Sequence, residues 1–167
     1  MTSLGGQLAQ WVRGRACLVG IGNVDLGDDA LGVRLARSIA ARLGGAPGAP
    51  RVVDAGNAPE RFVGGLARAG FDHVIFLDAV DFGGAPGAVL VADAARMSSR
   101  FPQVSTHRLS LGLMARWVEE AGRCRAWLLG VQPASLAPGT ALTPAVGEAV
   151  EALSDLLSAA WVGGARA

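Results

Sequence analysis

Short apolar runs of strand length alternate along the chain with longer segments whose apolar residues recur every three or four positions, the pattern of a parallel sheet covered by helices. Ala16 to Gly20 reads as the first strand, followed by a loop from Ile21 to Asp28. The segment from about Asp29 to Leu43 then places Leu31, Leu35, Ile39 and Leu43 on one helical face. Gly44-Gly45-Ala46-Pro47-Gly48 ends that helix, because glycine favours the helix exit and proline cannot continue the helix. Arg51 to Asp54 is the second strand and roughly Pro59 to Ala69 the next helix. His73 to Ala79 is apolar almost throughout, as a central strand should be.

A Gly83-Gly84-Ala85-Pro86-Gly87 turn leads to a short strand, Ala88 to Ala92. So short a connection cannot make a parallel crossover, so this strand is expected to run antiparallel at an edge. A helix from about His107 to Ala121, a strand from Ala126 to Val131, a loop from Gln132 to Thr143 and a helix from Pro144 to about Trp161 complete the chain. The expected fold is a single three-layer α/β/α domain over residues 1–167, with a five-stranded, mostly parallel twisted sheet and one antiparallel strand. Residues 1–14 and 162–167 are expected to be peripheral. A chain of 167 residues hides roughly 70% of the surface its unfolded form exposes, so a real core is available.

Composition narrows the function classes. No stretch approaches the ~20 uninterrupted apolar residues of a spanning helix, so no membrane insertion is expected. The N-terminus lacks the basic, apolar, small-residue order of a signal peptide, which predicts a cytoplasmic protein. A net charge of +1 with scattered arginines gives no electrostatic reason to expect nucleic acid as partner. All 15 basic residues are arginine, which excludes a Schiff-base lysine, a P-loop lysine and a Ser-Lys dyad. Arg13 with Arg15, and Arg123 with Arg125, flank apolar runs as solvated element ends do. Cys17 and Cys124 stand in or beside apolar runs at unrelated spacing and read as reduced core thiols. Of the four tryptophans, Trp117 and Trp127 are expected to pack within the fold, leaving Trp11 and Trp161 as candidates for a partner surface.

Ligands of such sheets bind beyond the carboxyl ends of the strands, where neighbouring connections leave to opposite faces. Gly20-Ile21-Gly22-Asn23-Val24-Asp25-Leu26-Gly27-Asp28-Asp29 follows the first strand; Asp78 ends the third, with Asp81 close behind. If those strands adjoin, the carboxylates share one crevice. His73 opens its strand at the far end, whereas His107 follows the loop Pro102-Gln103-Val104-Ser105-Thr106, which can carry it over the crevice. Two carboxylate oxygens and one imidazole nitrogen with open positions suit zinc or nickel. Taken singly, Asp28 or Asp29 reads equally as a helix cap and His107 as an ordinary helix-start residue. Asp78, after four apolar residues, must find water or a partner.

A rival reading takes Gly20-x-Gly22, the helix and Asp54 at the end of the second strand as a dinucleotide fingerprint. The third glycine is out of place, the loop is too long, and Asp25, Asp28 and Asp29 would repel a pyrophosphate. No Gly-x-Ser-x-Gly elbow, His-Glu-x-x-His helix or Cys-x-x-Cys pair occurs.

The assembled segments resemble the maturation endopeptidases of NiFe hydrogenases, from about Leu18 to Leu157. Gly20-Ile21-Gly22-Asn23 with Gly27-Asp28-Asp29-Ala30-Leu31-Gly32-Val33 is similar to the opening signature of that family. Val53-Asp54-Ala55-Gly56-Asn57-Ala58-Pro59-Glu60, Leu77-Asp78-Ala79-Val80-Asp81 with Pro86-Gly87, Ser105-Thr106-His107 and Leu129-Gly130-Val131-Gln132-Pro133 resemble its later blocks, in order. The resemblance implies an endopeptidase that removes the C-terminal extension of a hydrogenase large-subunit precursor after nickel insertion. It implies Asp29, Asp78 and His107 as metal-contacting and catalytic residues. Asp54, Gly56 and Asn57 would serve substrate recognition, and Gly22, Asn23 and Asp28 the loop structure. The partner implied is the nickel-loaded precursor, whose own nickel is the recognition signal, with zinc or cadmium as substitutes in crystals.

Ala55, Ala30 and Asp25 depart from the family pattern without removing a ligand, and bear on which large subunit is processed. Under this reading an ion at the Asp/Asp/His site polarises the scissile carbonyl or activates water with a carboxylate as base, or else only positions the precursor for a carboxylate pair. A non-cleaving chaperone for the nickel-loaded precursor is the alternative in another function class.

Overall fold

The structure, a computed structural model, describes residues 3–100 and 110–164. Its strands are β1 (Ala16–Ile21), β2 (Arg51–Gly56), β3 (His73–Ala79), β4 (Val89–Asp93) and β5 (Arg125–Val131), and its helices are α1 (Leu4–Trp11), α2 (Leu31–Leu43), α3 (Val63–Arg68), α4 (Ala94–Arg100), α5 (Leu111–Gly122) and α6 (Pro144–Gly164). The strands form one sheet in the order β2-β1-β3-β5-β4. All pairs are parallel except β4 with β5, which is antiparallel at the edge as the short connection demands. β1 and β3 are neighbours, with Gly20 opposite Leu77, so the ends that carry the acidic residues adjoin.

The sheet is covered on both faces. Leu31, Leu35 and Ile39 of α2 pack with Leu153 and Leu157 of α6 and Trp11 of α1 on one face. Val63 and Leu66 of α3, Met97 of α4, and Met114 and Val118 of α5 cover the other. Connections therefore leave β1 and β2 to opposite faces, which sets the switch point at the carboxyl ends of β1 and β3.

Several expectations need correction. Helix α2 starts at Leu31, not Asp29, because a 3-10 turn from Gly27 to Ala30 comes first. The helix expected over Pro59–Ala69 divides at Phe62 into a 3-10 turn, Pro59–Arg61, and α3. Helix α1, in the segment expected to be peripheral, drives Trp11 into the core, fully buried and 6.2 Å between ring centroids from Trp127. Trp127 packs within the fold as expected and Trp161 is buried too, while Trp117 is half exposed, so the expectation fails for Trp11, Trp117 and Trp161. Packing, not propensity, holds α1, whose eight residues include two glycines. Helix α4 was not expected; the Asp93 carboxylate accepts the Arg96 N–H at 2.9 Å and starts it directly from β4. Helix α5 begins at Leu111, where the Ser110 hydroxyl accepts the Leu113 N–H. Cys17 and Cys124 are free and buried. No helix among the described residues is long and apolar enough to cross a membrane.

Candidate active site

Close backbone approach builds the crevice. Gly32 in the first turn of α2 sits against the ends of both central strands: a Cβ there would lie 2.0 Å from the Leu77 carbonyl oxygen and 2.4 Å from that of Ile21. Gly22 has φ +139°, and a Cβ on it would fall 1.7 Å from the Asp29 carbonyl oxygen. Only glycine fits such a position. The Gly22 N–H donates to the Gly56 carbonyl at 2.8 Å, tying the loop after β1 to the end of β2.

The two aspartates of the 3-10 turn do different work. Asp28 is fully buried, and its carboxylate accepts the N–H groups of Ala134, Ser135 and Thr143 at 2.8, 3.0 and 2.7 Å and the Thr143 hydroxyl at 2.8 Å. Burial pushes its pKa up, but the bonds from Thr143, Ser135 and Ala134 outweigh burial and hold it below the ordinary carboxylate value. Backbone bonds add to the seam, from Asp28 N–H to the Ser135 carbonyl and from Gly27 N–H to that of Gly139. Asp28 thus pins the loop after β5 to the loop after β1. Neither aspartate caps α2, whose first residue receives no side-chain bond, so the capping alternative falls.

Asp29 is 8% exposed and Asp78, at the end of β3, is 3% exposed. The Asp29 carboxylate accepts the Asn23 N–H at 2.8 Å, and the Asp78 carboxylate accepts the Ala79 N–H at 2.9 Å. Burial first, and then the negative charge of Asp29, push the Asp78 pKa well above the ordinary carboxylate value, partly opposed by the Ala79 N–H. A carboxyl shifted in this way keeps its proton to higher pH than a solvated acid, and a cation can take the place of that proton. Two buried carboxylates therefore fit a divalent ion. Among the described residues no group of three His, Cys, Asp or Glu side chains is disposed to hold one. His107, with Ser105 and Thr106, lies outside the described residues.

The remaining expected site residues separate. Asp54 is exposed and ion-paired with Arg37 at 2.7 Å, and it also accepts the Gly56 N–H. Gly56 takes a left-handed conformation, φ +55°, and Asn57 is exposed beside it. The Asn23 side chain accepts the Asp25 N–H, while Asp25 itself is exposed. His73 stands at the far end of β3 and accepts the Trp127 indole N–H; burial lowers its pKa. The dinucleotide reading loses its footing, because the turn with Asp28 and Asp29 occupies the entry to α2, where a pyrophosphate would need bare N–H groups.

One positioning residue carried no expectation of its own. Gln132, 7% exposed just past β5, accepts the Phe82 and Gly84 N–H groups and donates to the Asp81 carboxylate at 3.1 Å, which sets the course of the chain leaving β3. Its signal in the sequence is a lone amide directly after an apolar strand, which must be paired if buried.

Fold and crevice together define a doubly wound α/β enzyme with an acidic site at its switch point. Residues 33–160 match the family model described as hydrogenase maturation protease. The hydrogenase 2 maturation protease of Escherichia coli (strain K12) is 32% identical over 158 residues, 92% of this chain and 94% of that protein. Among solved structures, the NiFe hydrogenase maturation protease HycI from Thermococcus kodakarensis KOD1 aligns with TM-score 0.77 and 32% identity, covering 89% of this chain and 92% of its own. The hydrogenase maturating endopeptidase HybD from E. coli aligns with TM-score 0.71 and 28% identity, covering 89% and 93%. The chain belongs to the hydrogenase maturation protease family and is a peptidase.

Proposed function

We propose that this peptidase removes the C-terminal extension of a NiFe-hydrogenase large-subunit precursor in the cytoplasm, once nickel has been inserted. Asp29, Asp78 and His107 receive the substrate's nickel. The observation that carries the reading is the juxtaposition of two buried carboxylates, Asp29 on the 3-10 turn that follows β1 and Asp78 at the end of the adjoining strand β3, the first raising the pKa of the second. A divalent ion in such a site supplies polarisation of a carbonyl or of a water. The protein's own part is to hold the carboxylates dry and fixed, through Asn23 on Asp29 and Ala79 on Asp78, and to keep on Asp78 a carboxyl able to take up or release a proton. Gly56 and Asn57, at the end of β2, stand where an incoming chain meets the crevice rim, with Asp54 held by Arg37 beneath them.

Mass spectrometry of a nickel-loaded large-subunit precursor after incubation with the protein tests this. The expected result is a shortened C-terminus with the wild type and unchanged mass with Asp29→Ala, Asp78→Ala or His107→Ala. Wild-type cleavage by all three variants would overturn the site, and a stable complex of unchanged mass with the wild type would make the protein a chaperone instead.

A further inference from the structure

Arginines far apart in the sequence converge on one side of the fold. A groove of about 390 Å³ between β2 and α3 is lined by Arg51, Arg61 and Arg68 with Val53, Phe62 and Phe71. A second groove of about 310 Å³ shares Arg51 and Phe71 with it and adds Arg15. Among the described residues no acidic side chain lines either groove. Among the described residues no carboxylate lies within ion-pair reach of Arg51, Arg61 or Arg68, all of which are exposed. Asp72, next to Phe71, is already engaged as acceptor of the Arg15 N–H at 2.7 Å. Phe62 adds exposed apolar surface at the rim.

The same groove borders an open strand. β2 is at the edge of the sheet, and among the described residues it pairs only with β1, so the backbone groups on its far side have no strand partner there. Such an edge is a template for another extended chain. The opposite edge strand, β4, contains no arginine, so charge distinguishes the two.

The geometry points to β2 and its arginines as the docking track for an extended, acidic segment of the precursor that this peptidase processes. The inference rests on the function proposed above for the precursor's identity. Backbone pairing along Arg51–Gly56 gives about 20 Å of contact, and the unpaired guanidinium groups supply charge complementarity at its margin. The track leads to the reaction: Gly56 closes it and accepts the Gly22 N–H, and the next residue, Asn23, donates its N–H to the Asp29 carboxylate. A polypeptide is favoured over a nucleic acid because a bare strand edge pairs with backbone amides, and because the chain as a whole carries a net charge of only +1.

The test compares the wild type with Arg51→Glu/Arg61→Glu/Arg68→Glu and with the neutral triple Gln variant, all checked for fold by circular dichroism. Affinity for the nickel-loaded precursor is measured by isothermal titration at two salt concentrations, beside KM and kcat for its cleavage. Charge at an interface rim acts mainly on association, so the Glu variant should bind about tenfold or more weakly, with KM raised to match. Its kcat should stay unchanged, the Gln variant should fall between, and salt should weaken only the wild type strongly. Amide exchange at residues 51–56 should slow when precursor binds. Wild-type affinity in the Glu variant overturns the inference, as does loss confined to binding of a DNA oligonucleotide. A wild type that binds through this track without shortening the precursor leaves the docking surface standing and overturns the proposed activity alone.

Discussion

Replacing Asp28 by Ala would strip a fully buried carboxylate from three backbone N–H groups and one hydroxyl that it holds at 2.7 to 3.0 Å. Bonds to a charged acceptor contribute roughly 1.5–3 kcal/mol each, and each donor left dry costs about 1–3 kcal/mol. These do not add in full, because the vacated space is large enough for water to satisfy some of the donors. The net loss should be about 3–5 kcal/mol, a drop in melting temperature of roughly 10 °C for a chain of this length. Asp28→Asn keeps one oxygen for Ala134, Ser135 and the Thr143 hydroxyl but turns an amide N–H₂ toward the Thr143 N–H, so it should lose about 2–3 kcal/mol. The pH dependence has a definite sign. The folded pKa of Asp28 lies below its unfolded value, so its stabilisation is present above the unfolded value of about 3.9 and fades only as pH falls through the folded one. Urea denaturation followed by circular dichroism, with m unchanged, reads the deficit. It should be flat from about pH 5 to 8 and shrink in acid. A deficit under about 0.5 kcal/mol, or one that varies across the neutral range, would refute the reasoning.

Gly32→Ala should destabilise the fold by roughly 3 kcal/mol or more, because the clash is with two carbonyl oxygens of fixed strands; Gly147→Ala, with nothing within 4 Å in α6, should be neutral or stabilising by up to ~1 kcal/mol. Asp29→Asn removes a like charge and should lower the Asp78 pKa in a carbon-detected NMR titration while leaving it above the ordinary value, since burial is the larger cause; an unmoved pKa would contradict the pairing. Nickel affinity of the free chain, followed by calorimetry, should fall as pH drops, beginning above the usual carboxylate range because Asp78 must lose its proton to bind. Burial pushes the Cys17 thiol up to about 12, opposed in part by Arg51, and raises that of Cys124 as well, so neither should react with a disulfide reagent at about pH 8 until urea is added.

The hydrophobic pattern made the sheet legible because its strands are separated by glycine-rich turns and because β1, β3 and β5 are apolar on both faces. It missed α1, where Gly5 and Gly6 hide a helix that exists to bury Leu8 and Trp11. The start of α2 was misplaced because acidic residues before an apolar period look like caps, and only the loop after β5, distant in sequence, draws Asp28 elsewhere. The arginine groove was invisible for the same reason: Arg15, Arg51, Arg61 and Arg68 are isolated along the chain, and the pairing of β1 with β2 together with the placement of α3 beside β2 gathers them. Tertiary partners, not local propensity, decided each of these.

The division of labour between Asp28 and Asp29 follows from the turn that bears them. Successive residues of a 3-10 helix point about 120° apart, so two adjacent aspartates cannot serve the same site. Asp28 faces the loop at 134–143, where abundant donors depress its pKa; Asp29 faces the ends of β1 and β3, where its charge raises that of Asp78. An α-helix starting at Asp29, as the sequence pattern alone predicts, would give neither arrangement its geometry. The cost of holding Asp29 and Asp78 together is offset locally by the Asp28 bonds, which make the loop rigid at the point where the pair must stay fixed. A cation arriving with the substrate would then find carboxylates already desolvated and aligned, and relief of their repulsion would itself contribute to binding.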